Sequence, residues 1–273
     1  MISTTSLTLQ ALLKNAVSQT ALDTPARLVA GLTPSAKALF VAAAAHAMPK
    51  GVAFYVVPGD AHIDDAVADI RFFLSGLEGM SGVAAERAVL PFPSHEIDPY
   101  RGLMPHVGVT AARARVLHAL ATGSSRVVVA SAAALLPRVS APDRLLAASI
   151  ELKPGNDIPP SDLAELLVDA GFSREDPADE HGEFAVRGGI VDIYPAGEPA
   201  PVRLEFVGDT IESLRAYDPA TQRSTKPIDQ MMVVPLRDIL PTRSGDRFEG
   251  ETTHADESDR SANIFDYLAR GRQ

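Results

Sequence analysis

The chain has 273 residues, 46% hydrophobic and 22% charged, enough for one large domain or two modest ones, each with its own core. The absence of cysteine excludes disulfide frameworks, thiolate zinc sites and cysteine nucleophiles and fits a reducing cytoplasm, and no apolar run reaches the roughly 18 residues of a membrane span. The net charge of −10 is uneven: residues 1–150 carry 12 Lys/Arg against 10 Asp/Glu and residues 151–273 carry 13 against 25, which with 5% aromatics and no Trp argues against tight nucleic-acid binding and for a protein partner.

In chain order, Leu9, Leu12, Leu13, Ala16 and Val17 recur at helical spacing and predict an amphipathic helix over 7–17. A short strand is expected at 27–30, an alanine-rich helix at 36–47 and a buried strand at 52–57. A helix at 62–77 follows, with Ala66, Ile70, Phe73, Leu74 and Leu77 inward and Asp64, Asp65 and Asp69 on its solvated side. A helix at 110–121, closed by Gly123, precedes a valine-rich strand at 126–131. This alternation predicts a parallel sheet covered by helices.

The Pro/Gly-punctuated stretch 149–160 predicts a boundary. Beyond it, a helix at 161–170 is expected, with Ser161 as its cap and Gly171 as its stop. Closely spaced strands follow at 183–187, 190–194, 202–206 and 211–217, with Gly188-Gly189 and Gly208-Asp209 as turns, and a last strand at 231–236. This second region is α+β with an antiparallel meander. Residues 242–261 are polar, acidic and aperiodic, the composition of a mobile loop. The apolar group Ile264, Phe265, Tyr267 and Leu268 lies close to the end, the pattern of a fragment.

One stretch has the outline of a phosphate loop: G-L-T-P-S-A-K-A at 31–38, between a short strand and a helix. Gly31 and Lys37 are in place. The second glycine is replaced by Ala36, the magnesium-holding hydroxyl by Ala38, and Pro34 removes a backbone donor. The expectation is a structural turn that no longer binds ATP, retained on a P-loop-like scaffold.

Two motifs are more specific. H-G-E-F-A-V-R-G-G-I-V-D-I-Y-P at 181–195, P-V-R-L-E-F-V-G-D-T-I-E-S-L-R at 201–215 and D-P-A-T-Q-R at 218–223 resemble domain 2 of UvrB and of the bacterial transcription-repair coupling factors. F-P-S-H-E-I-D-P-Y at 92–100, with Pro105-His106, resembles the coupling-factor version of the preceding domain. No room exists between Tyr100 and Thr110 for the aromatic hairpin with which UvrB clamps DNA, which favours the coupling-factor branch. The likeness spans about residues 25–240. It implies an inactive, degenerate P-loop helicase-like α/β domain (1a, 25–148) behind an N-terminal helix and linker (1–24). Into it an α+β domain (2, 149–234) is inserted, and 235–273 return as part 1b.

The implied function is non-catalytic: docking of the damage-recognition protein UvrA, so that a stalled RNA polymerase is linked to nucleotide excision repair. RNA polymerase, duplex DNA and ATP with magnesium would be engaged by other domains of the full-length protein, and no cofactor is expected in this segment. The alternative is a UvrB-like, DNA-binding, ATP-dependent helicase fragment. Carried over by position, the UvrA contacts fall on Arg174, Arg187, Arg203 and Glu205, with Phe184, which shares a face with Val186 as a core residue would. UvrB has another arginine two residues before the position of Arg187; here it is Ala185.

Period-two alternation agrees with that placement, since Arg203 and Glu205 interleave with Val202, Leu204 and Phe206 and lie opposite the core. Arg187 and Arg203 are expected to point outward from a rigid sheet, preorganised for a partner's carboxylates. The competing reading is a solvated strand face with internal ion pairs. His95, Glu96 and His106 lack metal-ligand spacing, His181 and Glu183 fit a turn cap, and Arg113 and Arg115 fit a solvated helix face.

Overall fold

The computed structural model describes residues 8–18, 28–95, 105–198, 200–240 and 259–270. They form two compact units, the first from the described parts of Met1–Ser94, Thr122–Leu136 and Leu268–Gln273, the second from those of His95–Ala121 and Pro137–Tyr267. Residues 105–121 and 137–148 therefore lie with the second unit, although the composition boundary was read at 149. Tyr100, Glu96 and most of the 242–261 segment fall outside the described residues.

The first unit is built on three parallel strands, β1 (Ala53–Val57), β2 (Val89–Phe92) and β3 (Val127–Ser131), in the order β1-β3-β2. The parallel sheet was legible from sequence. Every residue of β3 is buried, as the Val-Val-Val run requires of a central strand. Pro91 is tolerated because β2 is an edge. Helices α1 (Leu9–Ser18), α2 (Pro34–Ala47), α3 (Ile63–Glu78) and α4 (Gly82–Ala88) belong to the same unit. Ala38, Ala42 and Ala45 of α2 join Val67, Ile70, Leu74 and Leu77 of α3 in one core with Val89, Val127 and Val129. Gly76 admits α1, because a Cβ there would sit 2.5 Å from Leu13 Cδ1. No strand forms at 28–30: Leu28 is 86% exposed and among the described residues pairs with no strand, and Arg27 lies outside the described residues.

The second unit holds helices α5 (Val107–Ala121), α6 (Pro142–Ala148), α7 (Pro160–Asp169) and part of α8 (Ile264–Arg270). A short ribbon pairs β4 (Ile150–Leu152) with β11 (Met231–Val233). The main sheet consists of β5 (Ser173–Arg174), β6 (Glu183–Arg187), β7 (Ile190–Ile193), β8 (Val202–Val207), β9 (Thr210–Asp218) and β10 (Arg223–Pro227). Its order is β10-β9-β8-β7-β6-β5, antiparallel except for β5 with β6. The expected meander is present, and Gly188, at φ 61°, takes the left-handed turn between β6 and β7. Helix α7 starts differently from expectation. Pro159 is its N-cap, and Ser161 lies inside the first turn with its hydroxyl on Asp162 rather than on a backbone N–H.

The segment after β11 is fastened within this unit. Ser140 donates its N–H to the Asp238 carbonyl (2.8 Å) and its hydroxyl to the Asp259 carbonyl (2.9 Å), and Tyr267 OH reaches the Ser140 carbonyl (2.7 Å). Beside them Arg113 is fully buried, with Nε 2.7 Å from Asp238 Oδ2, so the solvated reading of Arg113 is corrected. Its charge is tolerated there because a carboxylate meets it. His95 Nε2 lies 3.3 Å from the same carboxylate. Burial alone would push the Asp238 carboxyl up, but His95 and Arg113 outweigh it and hold it below the ordinary range. Removing one partner strands a buried charge. Asp238→Ala is therefore expected to lower unfolding free energy in urea by about 3–5 kcal/mol, Arg113→Ala similarly, and the double variant by less than the sum.

Candidate functional site

Strands β6 to β9 sort their side chains by the pleat. Phe184, Val191, Ile193, Val202, Leu204 and Leu214 occupy one face and are buried. The other face carries Ala185 and Arg187 of β6, Asp192 of β7, Arg203 and Glu205 of β8, and Ser213, Arg215 and Tyr217 of β9. Ala185 is opposite Asp192, Asp192 opposite Arg203, and Arg203 opposite Arg215.

Asp192 is 1% exposed and forks onto Arg203, with Nε at 2.7 Å from Oδ1 and the second nitrogen at 2.8 Å from Oδ2. The Arg203 guanidinium lies 5.0 Å from the Tyr217 ring centroid and also donates to the Gln222 carbonyl (3.3 Å). Tyr217 is buried, its hydroxyl donates to the Ala178 carbonyl (2.5 Å), and burial raises its pKa well above the usual range. Arg187 pairs with Asp176 through two nitrogens and lies 3.9 Å from Asp192. Its hydrogen bond holds the Asp176 carboxyl below the ordinary range, and the same bond raises Arg187. Asp176, Arg187, Asp192 and Arg203 thus form one alternating chain of charge. At the approach to β6, Glu183 accepts the N–H groups of Asp179 (3.1 Å) and Glu180 (2.9 Å), the turn cap expected of it.

Two of the expected contacts, Arg187 and Arg203, come together on one face, and Glu205 joins them, accepting a hydrogen bond from Ser213 Oγ (2.6 Å). The expectation that both guanidinium groups stand free is corrected. Arg203 is only 16% exposed in its side chain and is bound to Asp192, whereas Arg187 is 39% exposed. Phe184 is also corrected. It is fully buried on the core face, so its ring is not open to a partner. Arg174 is exposed on the edge strand β5 but pairs in register with Phe184, which gives it the opposite pleat from Arg187. Ala185 is buried opposite Asp192, so the arginine that UvrB carries there would have to displace what covers it. Sequence reasoning missed Asp176, Asp192, Tyr217 and Arg215. Period two already puts Asp192 out of phase with Val191 and Ile193, but only register shows which arginine it meets.

At the phosphate-loop outline, Gly31 is left-handed at φ 79° with open space around it. Thr33 caps α2 by accepting the Ala36 N–H (3.4 Å), Pro34 opens the helix, Lys37 is exposed, and the Ala38 methyl faces the core at 1% exposure. His95 and His106 have partners within the protein: Asp238 for the first, and the Gly108 N–H (3.1 Å) for the second.

Residues 150–238, which include the whole six-stranded sheet, match the family model of the UvrB interaction domain. Over these residues the chain thus resembles UvrB-like DNA-repair proteins. More particularly, the chain is homologous to transcription-repair-coupling factors, as the motifs at 181–223 implied. It is 28% identical to that of Bacillus subtilis over 214 residues, 78% of this chain and 17% of the relative. It is 36% identical to that of Myxococcus xanthus over 182 residues, 66% of this chain and 15% of the relative. UvrABC system protein B of Mycobacterium tuberculosis is 37% identical over 109 residues, 40% of this chain and 15% of that protein. The matches cover at most 17% of the length of these relatives.

The charge chain separates two arginines by their stability roles. Arg203→Glu sets a second carboxylate against buried Asp192 and should unfold at clearly lower temperature, while Arg187→Ala, an exposed pair, should change stability by less than about 1 kcal/mol. Because the folded pKa of Asp176 is depressed, its contribution is present above the ordinary carboxylate range and lost as pH falls through the folded value. An NMR titration should find the Asp176 midpoint below 3.8 and returning toward 3.8 in Arg187→Ala.

Proposed function

We propose that this chain is a UvrA-docking module that recruits nucleotide excision repair to stalled transcription, and that it performs no catalysis itself. The observation that carries the reading is the charged face within the UvrB interaction domain, where Arg187 stands at the surface beside a fixed Asp192–Arg203 pair. A planar guanidinium held on a rigid strand can fork onto a partner carboxylate at low entropic cost, exchanging Asp176 for it. Arg174, on the opposite pleat, is exposed on the edge strand β5 and lies outside this face.

The first unit is proposed to be a helicase-like scaffold whose phosphate loop is inactive. The chemistry at 31–38 supports this, since position 38 offers a methyl group where magnesium needs a hydroxyl. RNA polymerase, duplex DNA and an ATP-driven motor are assigned to other parts of a longer protein, and its place is the cytoplasm. Among the described residues no helix is long and apolar enough to cross a membrane.

Purified UvrA from the same organism should be retained by the wild-type chain and lost with Arg187→Ala at unchanged melting temperature. Retention of UvrA by that variant would remove the docking assignment. A labelled-ATP titration should show no magnesium-dependent micromolar binding, and duplex DNA should not be shifted in a gel, as the charge of −10 implies.

A further inference from the structure

We infer that Arg215 is a third cationic contact of the docking face, one that takes an acidic side chain of the protein partner. The inference rests on the docking reading and adds to it a residue and a charge requirement that the motifs did not assign.

Three arginines share this face, and among the described residues acids pair with only two of them. Asp192 is committed to Arg203 by a bidentate bond, and Asp176 to Arg187. Arg215 stands directly across β8–β9 from Arg203, and its side chain is exposed. Among the described residues no ion pair reaches it. Like charges directly opposite on a sheet are unfavourable, and a designable strand would place an acid there. On its other side is Pro227 of β10, a strand whose residues are Arg223, Ser224, Thr225, Lys226 and Pro227: two cations and no acid. A half of the chain with 13 Lys/Arg against 25 Asp/Glu has many acids to spend, yet it leaves this edge positive. Departures from local charge rules without an internal gain mark functional surface.

The same geometry favours a protein carboxylate over a nucleic-acid phosphate. Glu205 and the 63% exposed Asp176 flank the arginines and would repel a phosphate backbone. Tyr217, the aromatic of this face, is buried with its hydroxyl engaged, so no ring is offered for base stacking. Partner carboxylates, spaced singly and able to avoid those acids, suit Arg187 and Arg215 together.

The test uses the full chain and purified UvrA, with affinity measured at low and moderate salt. Arg215→Glu should weaken binding by more than about tenfold, Arg215→Ala by roughly three- to tenfold with a shallower salt dependence, and Arg215→Lys by less than about threefold. The melting temperature of Arg215→Ala should equal or exceed that of the wild type, since the opposition to Arg203 is relieved. If Arg215→Glu binds normally while Arg187→Ala is lost, Arg215 is not a contact and the docking reading stands. A wild-type chain that fails to bind UvrA overturns both. Weakening accompanied by a lower melting temperature in Arg215→Ala would make the residue structural, and retention of duplex DNA by the wild type, lost in Arg215→Glu, would assign it to nucleic acid instead.

Discussion

A single carboxylate organises the charged face of this domain. Asp192 is almost completely removed from water on the central strand β7, so its charge is tolerable only because Arg203 forks onto it from the neighbouring strand. That commitment fixes Arg203 over the Tyr217 ring, and Tyr217 in turn holds the Ala178 carbonyl through its hydroxyl. Arg187, whose closer acid is the solvent-facing Asp176, is left as the exchangeable member of the chain. A surface pair in water contributes little to stability, so exchanging one exposed carboxylate for another costs little, while the buried pair keeps the geometry constant.

A second buried pair, Arg113 with Asp238, plays a comparable part for the segment that follows β11. It lies beside Ser140, whose N–H, hydroxyl and carbonyl each bind a different part of residues 238–267. Polar groups without water must find partners, and here they find them in a segment far away in sequence. The result is a unit that joins residues on both sides of the UvrB interaction domain match at 150–238.

Much of the fold was legible. Period-two alternation located β6 to the residue and β8 and β9 to within one residue at each end, because one face of each is apolar and the other polar. Strand β10 was not legible. Its residues R-S-T-K-P are all exposed and have no apolar phase, and it is a strand only because β9 supplies backbone partners. Strand β4 escaped for a different reason: Ile150–Leu152 lay in a stretch punctuated like a linker, while its partner β11 falls within the strand expected at 231–236. Arg113 read as solvated because a charge at a helical position usually is, and its burial depends on an acid 125 residues away.

By itself the sequence determined which side of β6 and β8 each residue takes, and through its motifs the kinship with coupling factors and UvrB. Pleat parity is a property of consecutive residues, so Arg187, Arg203 and Glu205 could be set opposite the core without coordinates. Only the tertiary structure decided which charges meet. Strand register brought Asp192 to Arg203, and the path of the chain before β6 brought Asp176 to Arg187. Among the described residues it also left Arg215 with no acid in an ion pair. Ion pairing depends on distances across strands and loops, and those distances exist only after the sheet has closed.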